Sequence, residues 1–386
     1  MAAEPIVIAG AARTPMGAFQ GALKGRTGVE LGSAAISAAL ARAGLASEAV
    51  EEVVMGCVLP AGLGQAPARQ AALGAGLPLS VPCATLNKVC GSGMKAAMAA
   101  HDTIRAGSAG IVVAGGMESM SNAPYLLDKA RGGYRIGHGR VLDHMFLDGL
   151  EDAYDRGRAM GTFAEDCAEA YQFTRDAQDA YALASLARAQ AAIAEGRFAA
   201  EVVAVDGVAV DEAPGRARPE KIPQLRPAFR EGGTVTAANS SSISDGAAAL
   251  VIASAGAAEA QGLTPLATIR GHASHAQAPN LFTTAPIFAI GKLLERVGWS
   301  AAEVDLFEIN EAFAVVAMAA MRDLDLPHDK VNVNGGACAL GHPIGCSGAR
   351  IVVTLIEALR ARGLRRGVAS LCIGGGEATA LAVEVI

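Results

Sequence analysis

Asn87-Lys88-Val89-Cys90-Gly91-Ser92-Gly93-Met94-Lys95 runs without a break into AAMAAHDTIRAG, and the rest of the chain reads outward from it. From Ser92 onward apolar residues recur at helical spacing in an Ala-rich setting, which predicts a buried helix. Cys90 then stands near the N-terminus of that helix. Unpaired N–H groups and the macrodipole favour negative charge there, so the placement predicts a lowered thiol pKa and a more available thiolate. The flanking glycines allow backbone to come close to a substrate. Taken alone, the stretch fits a structural cysteine beside a tight turn better, because free Cys is among the most buried residue types.

On either side, strands alternate with helices. Residues 5–10 (PIVIAG) read as a buried strand, 29–43 as a helix stopped by Gly44, 53–58 (VVMGCV) as the next strand, and 111–114 as a strand running into Gly115-Gly116-Met117-Glu118-Ser119. This pattern predicts an α/β layered core. From Met120 to about residue 238 the sequence turns polar and aromatic, with helices such as 164–194 and an irregular Pro- and Arg-rich loop at 211–229. That region reads as a surface-facing insertion. AAALVIAS, ending at Ser254, returns to buried strand; a second core begins near Pro265 with LATIRGHAS, and its helix 287–297 ends at Gly298.

The second core repeats the first. Gly44-Leu45 and Val50-Glu51 recur 254 positions on as Gly298-Trp299 and Val304-Asp305; Ser92-Gly93 recurs at 255 as Ser347-Gly348; Gly115-Gly116-Met117-Glu118 matches Gly374-Gly375-Gly376-Glu377 at 259. Matches in one order at nearly one offset indicate an internal duplication. The alignment sets Gly56 against Asn310 and Val113 against Cys372. The expected organisation is a first core half over 1–120, an inserted domain over 121–245 and a second core half over 246–386, with the last strand of the first half inside 246–262.

Composition narrows the classes of function. At 386 residues, with 52% hydrophobic and 18% charged side chains, the chain can build a large core and is no disordered segment. A net charge of −6 without a basic run speaks against a nucleic-acid partner. Seven widely spaced cysteines without a CxxC pair indicate neither a disulfide framework nor a cysteine zinc site, and favour a reducing compartment. The opening residues lack a basic n-region with an apolar core, and no window approaches the ~18 apolar residues of a membrane span. A cytoplasmic protein without membrane attachment is expected.

Four polar features then fall at strand ends and helix starts, where open α/β sheets place their sites: Cys90, Asn310 in NEAF, His342 in GHP and Cys372 in CIGGG. Singly, His342 could be a turn residue, Cys372 core filler and Asn310 a helix cap; together and in this order they are far more specific. With VLPAGLGQAPARQAALGAGLP, NKVCGSGMKA, VAGGMESMS, LRPAF, SDGAAA and NGGACALGHPIGCSGAR, they make the whole chain resemble the thiolase family.

The resemblance implies a duplicated five-layer α-β-α-β-α core with an inserted loop domain that binds coenzyme A. It also implies roles. Cys90 is the acyl-accepting nucleophile, His342 takes its proton, and Cys372 is the second acid/base thiol. One oxyanion hole is formed by His342 with a water held by Asn310, the other by the N–H groups of Cys90 and Gly374. Ser241 corresponds to a pantetheine contact and Met160 to a neighbour of the acyl pocket; Arg216 or Arg218 either reaches the nucleotide phosphates or is simply a solvated loop arginine. The expected reaction is the reversible condensation of two acetyl-CoA to acetoacetyl-CoA and CoA, with no metal and no cofactor besides the CoA thioester substrates. Ala159, where short-chain biosynthetic members often carry His, and Ser244, where Asn is common, leave a broader 3-ketoacyl-CoA thiolase as the alternative. Ketoacyl synthases share the fold but lack the second cysteine, and a non-catalytic lipid carrier of this fold is expected to lack one of Cys90, His342 or Cys372. A homodimer or homotetramer is expected, with 121–150 as a tetramer contact.

Overall fold

The computed structural model describes residues 4–386; residues 1–3, part of the opening stretch on which the cytoplasmic expectation rests, lie outside the described residues. The first half supplies β1 (Ile6–Arg13), β2 (Gly17–Ala18), α1 (Gly28–Ala43), β3 (Glu52–Gly56), α2 (Pro67–Gly74), β4 (Cys83–Leu86), α3 (Ser92–Arg105) and β5 (Ile111–Ser119). The insertion carries the paired β6 (Tyr125–Leu126) and β7 (Leu142–Asp143), then α4 (Gly161–Ala170), α5 (Arg175–Ala194) and α6 (Glu212–Arg216). The chain returns with β8 (Ser244–Ser254) and α7 (Ala255–Ala260). The second half follows as β9 (Ala267–Ala276), α8 (Ala285–Val297), β10 (Leu306–Ile309), α9 (Ala314–Asp323), α10 (Ala337–Leu340), α11 (Ile344–Arg362), β11 (Arg366–Ile373) and β12 (Glu377–Val385).

Strand pairing establishes the duplication independently of the sequence. The order β4-β3-β5-β8-β1 pairs parallel, parallel, antiparallel, antiparallel. In the other half β10-β11-β12-β9 pairs parallel, antiparallel, antiparallel, and a parallel bridge from Phe307 to Val331 stands where β3 meets β4. The two halves join edge to edge at β1 and β9, where Val7 pairs with Thr268. Register corrects one of the repeats. Glu52 pairs with Val112 and Leu306 with Gly367, so an offset of 254 between β3 and β10 fixes 255, not 259, between β5 and β11. The Gly-Gly-x-Glu match is displaced by four residues, and the counterpart of Cys372 is Met117, not Val113. Gly56 remains the counterpart of Asn310.

Alternate side chains of each sheet enter different cores, as the strand period of two requires. Leu250, Ile252, Leu381 and Val383 face a central layer built from α3 and α11. Val251 and Ala253 turn outward onto α1, while Ala380 and Ala382 turn onto α8 and α9. The result is the expected five layers. The repeated Ser-Gly pairs mark where the central helices cross. A β-carbon on Gly93 would lie 2.8 Å from the backbone nitrogen of Ala349, and one on Gly348 would collide with that of Met94.

Local signals set the ends of helices. Thr27 and Glu30 form a capping box at the start of α1, and Gly44 and Gly298 adopt left-handed φ at the ends of α1 and α8. The expected helix over 164–194 is two helices. Gln172 takes a φ of 55° and Thr174 starts α5 afresh by capping Ala177 N–H. Within 211–229, expected to be irregular, the chain forms α6 and a 3-10 turn over Pro219–Gln224. No helix among the described residues is long and apolar enough to cross a membrane.

Candidate active site

Cys90 occupies the tight turn between β4 and α3. Val89 just before it has a φ of 47°, a costly conformation for a β-branched residue. Ser92 holds that turn: its hydroxyl accepts the Lys88 N–H at 2.8 Å and donates to the Val89 carbonyl at 2.6 Å. Lys88 also forms an ion pair with Glu377 at the start of β12. The Cys90 loop of one half is thereby tied to the strand that follows Cys372 in the other.

The thiol itself sits among protein atoms. Burial pushes Cys90 up to about 11, opposed by the backbone N–H groups of Gly374 and of Cys90 itself. The lowered pKa expected from the helix start is therefore not what the structure gives: desolvation outweighs the helix terminus. Cys372, at the end of β11, is held well above the usual thiol value by burial first and by the nearness of Cys90 second. Both thiols are protonated at neutral pH, so the site requires an internal base.

His342 fits that need. It lies 5% exposed in the loop before α11, anchored by its N–H to the Ser242 carbonyl at 3.0 Å. Its Nδ1 stands 2.5 Å from the Ser347 hydroxyl, which itself donates to the Pro343 carbonyl at 2.9 Å. A hydroxyl has one proton to give, so Ser347 accepts from Nδ1–H, and Nε2 carries the lone pair. Nε2 has no hydrogen-bond partner within the protein. Burial, followed by the charge of Arg350, lowers the imidazole to about 3, which keeps it neutral at rest with the Nε2 lone pair free, at the cost of basicity. Ile344, two residues on, packs in a cluster that includes Cys90.

Asn310 ends β10. Its backbone N–H donates to the Ser370 carbonyl at 3.0 Å, but both atoms of its buried amide lack a protein partner. The next residue, Glu311, is fully satisfied by Tyr181, Ser185, Asn332 and the Cys338 N–H. Buried polar atoms are normally paired; Asn310 thus holds a free amide on a rigid support. The 239–242 segment laces these loops together. Asn239 and Ala312 accept from Ala314 and Ser241, and Ser242 accepts from His342.

Of the other candidates, Gly374 faces Cys90 with its N–H, and the Met160 methyl lies 3.5 Å from where a β-carbon on Gly374 would stand. Arg216 and Arg218 line a cavity of about 340 Å³ together with Lys221, Ser242 and Cys338. Ser241 and Met160 are not in its lining. The cavity gathers three cations beside the segment that anchors His342, although Arg216 is already engaged by Glu212.

Four contributors escaped the sequence reading. Ser347 was visible only as half of a repeated Ser-Gly pair. Lys88 and Glu377 lie far apart in sequence. Glu118, part of a noted motif, is buried and accepts N–H bonds from Val58, Leu59 and Gly345 at 3.0, 3.1 and 2.9 Å. It fastens the loop after β3 to the start of α11.

Comparison with known proteins agrees with this geometry. Residues 6–256 match the family model for the thiolase N-terminal domain and residues 263–385 that for the thiolase C-terminal domain. Acetyl-CoA acetyltransferase 2 of Arabidopsis thaliana is 52% identical over 392 residues, covering 99% of this chain and 97% of the relative. An acetyl-CoA acetyltransferase of Cupriavidus necator is 50% identical over 389 residues, covering 98% and 99%. Among solved structures, Acat5 thiolase from Ascaris suum in complex with coenzyme A matches with a TM-score of 0.95 at 43% identity, covering 99% of this chain and all of that one.

Proposed function

The chain belongs to the thiolase family, and on that premise we propose that it is an acetyl-CoA C-acetyltransferase, condensing two acetyl-CoA to acetoacetyl-CoA and CoA. The observation that carries this reading is the near full-length similarity, at about half identity, to relatives named acetyl-CoA acetyltransferase; two neighbouring thiols, and a buried imidazole nitrogen and carboxamide without partners among the described residues, support it.

In the proposed sequence His342 Nε2 takes the proton of Cys90, whose sulfur attacks the acetyl carbonyl. The carbon–sulfur bond to CoA breaks, and the leaving CoA sulfur takes the Cys372 proton. Cys372 is then the thiolate that removes the α-proton of the second acetyl-CoA. The resulting carbanion forms the carbon–carbon bond at acetyl-Cys90, and Cys90 leaves as thiolate to recover its proton from His342. Two thiols suit this division, because one sulfur cannot hold the acyl group and deprotonate carbon at once. The N–H groups of Cys90 and Gly374 are placed to receive one developing oxyanion, and His342 with an Asn310-held water to receive the other. Each such donor is worth about 10²–10³ in rate.

Coenzyme A is assigned to the insertion, with Arg216, Arg218 and Lys221 toward its phosphates and Ser241 and Met160 nearer the acyl end. No metal or further cofactor enters the sequence. The free edge of β4, with Ala84 and Thr85 exposed, and the exposed Tyr125, Leu127 and Ile136 support a homodimer or homotetramer. The buried free thiols fit a cytoplasmic setting.

Ala159 beside Met160 favours a second reading, in which the pocket admits longer acyl groups. Thiolysis of 3-ketoacyl-CoA substrates of graded length, alongside acetyl-CoA condensation, separates the two. A sharp preference for acetoacetyl-CoA supports the short-chain assignment. Equal or better use of longer chains replaces it with the broader enzyme, and no turnover defeats both.

A further inference from the structure

We propose that His101, Asp102 and His272 form a binding site for a divalent transition cation of the Zn²⁺ or Co²⁺ type, bridging the two halves. His101 and Asp102 lie toward the C-terminal end of α3 and His272 on β9, 170 positions from Asp102. His101 Nδ1 stands 3.0 Å and His272 Nε2 2.8 Å from the same oxygen, Asp102 Oδ1. All three donor atoms fall within 4.8 Å of one another. A tetrahedral ion with bonds of about 2.0–2.1 Å holds its ligand atoms about 3.3 Å apart, so the two nitrogen–oxygen contacts need to open by about 0.3–0.5 Å, and the two nitrogens, no more than 4.8 Å apart, to settle at that spacing.

The surroundings fit an ion as well as the spacing does. The two rings meet edge to face, with centroids 5.0 Å apart and planes at 87°. Their side chains are only 12% and 13% exposed, whereas Asp102 is 57% exposed. The nitrogens are thus held by packing while the carboxylate side stays open to water ligands. Arg296 fixes the strand by donating to the His272 carbonyl at 2.6 Å. Both convergent nitrogens must lose their protons to bind metal. Among the described residues the opposite ring nitrogens have no hydrogen-bond partner, so each proton can move across its ring without breaking a described bond.

Two imidazoles and one carboxylate suit Zn²⁺, Co²⁺ or Ni²⁺, whereas Mg²⁺ and Ca²⁺ prefer all-oxygen sets. Eleven residues of mostly helical chain separate His101 from Cys90, about 16 Å at the helical rise. The ion would therefore clamp α3 of the first half to β9 of the second without touching the reacting atoms.

The test adds Co²⁺ to the metal-stripped full-length protein in its native assembly and records visible absorption and the thermal midpoint. One equivalent of Co²⁺ per chain is expected to give d–d bands of a nitrogen–oxygen site. The midpoint should rise by at least about 2 °C at saturation. Asp102→Asn and His272→Gln should each lose both signals while keeping condensation activity. The proposal is overturned if wild type shows neither signal at millimolar Co²⁺, or if both variants respond as wild type does. Intense near-ultraviolet thiolate-to-cobalt bands with loss of activity would also overturn it, because the cysteines would then be the ligands.

Discussion

The two halves share one topology and divide the chemistry unequally. Where β10 ends in Asn310, β3 ends in Gly56; where β11 carries Cys372, β5 carries Met117. The contrast extends to the helix starts. In the first half Glu118, the counterpart of Ile373, reaches the backbone of Gly345 at the start of α11. In the second, Ile373 packs on Gly91 and Gly374 turns its N–H toward Cys90. One junction between the halves is thus a carboxylate clasp and its pseudo-symmetric mate is the proposed reaction centre. The same scaffold supplies rigidity on one side and reactive groups on the other, and a β-carbon is refused at Gly116 because the Gly345 carbonyl presses there.

This division can be broken most severely at Cys372. Cys372→Ala is expected to accept acetyl on Cys90 yet lose condensation by about 10³-fold or more, read by mass spectrometry of the protein beside a rate assay. Condensation near the wild-type rate would mean that the second half contributes no carbon acid/base thiol. Next comes the support of the base. Ser347→Ala removes the acceptor that fixes the His342 tautomer and should lower kcat by about 10–100-fold with KM little changed. A rise in KM alone would place Ser347 in substrate binding.

Alkylation sharpens the account of Cys90. With its thiol pushed up to about 11, iodoacetamide labelling should climb about tenfold per pH unit between pH 7 and 10. A plateau from pH 7 would reveal a preformed thiolate and restore the helix terminus as the dominant influence. The gentlest effect is expected at the clasp. Burial raises Glu118 from 4.5 to about 7, so the folded state binds its proton more tightly than the unfolded chain. That stability is full below pH 4.5 and is lost as pH rises to 7, on the order of 3 kcal/mol. Glu118→Gln should flatten that part of the stability–pH curve, measured by denaturant melts; an unchanged slope would remove Glu118 from the titration.

Much of this was readable in the chain because the duplication left paired marks. Ser92-Gly93 and Ser347-Gly348 are conspicuous in sequence since two helices can cross so closely only with glycine at the contact. The third mark misled by four residues: Gly-Gly pairs recur easily, and only hydrogen-bond register distinguishes an offset of 255 from 259. The break between α4 and α5 was hidden because Gln172, neither Gly nor Pro, takes the left-handed turn. The thiol pKa was misjudged for a different reason. A helix start is local and visible, whereas the desolvation around Cys90 comes from residues distant in sequence, Val58, Leu59, Met120, Met145 and Ile344 among them. Glu118 was hidden likewise, since it reaches the backbone of Gly345 far along the chain; Ser347 lies only five residues from His342, but spacing alone does not show that its hydroxyl meets Nδ1.

The account turns on Cys90 as the residue that carries the acyl group. The most direct measurement incubates the enzyme with isotopically labelled acetyl-CoA, quenches in acid and maps the label by peptide mass spectrometry. The expected result is one acetyl group per chain on the peptide containing Cys90, absent from Cys90→Ala. Label on the Cys372 peptide, or label that persists in Cys90→Ala, would contradict it.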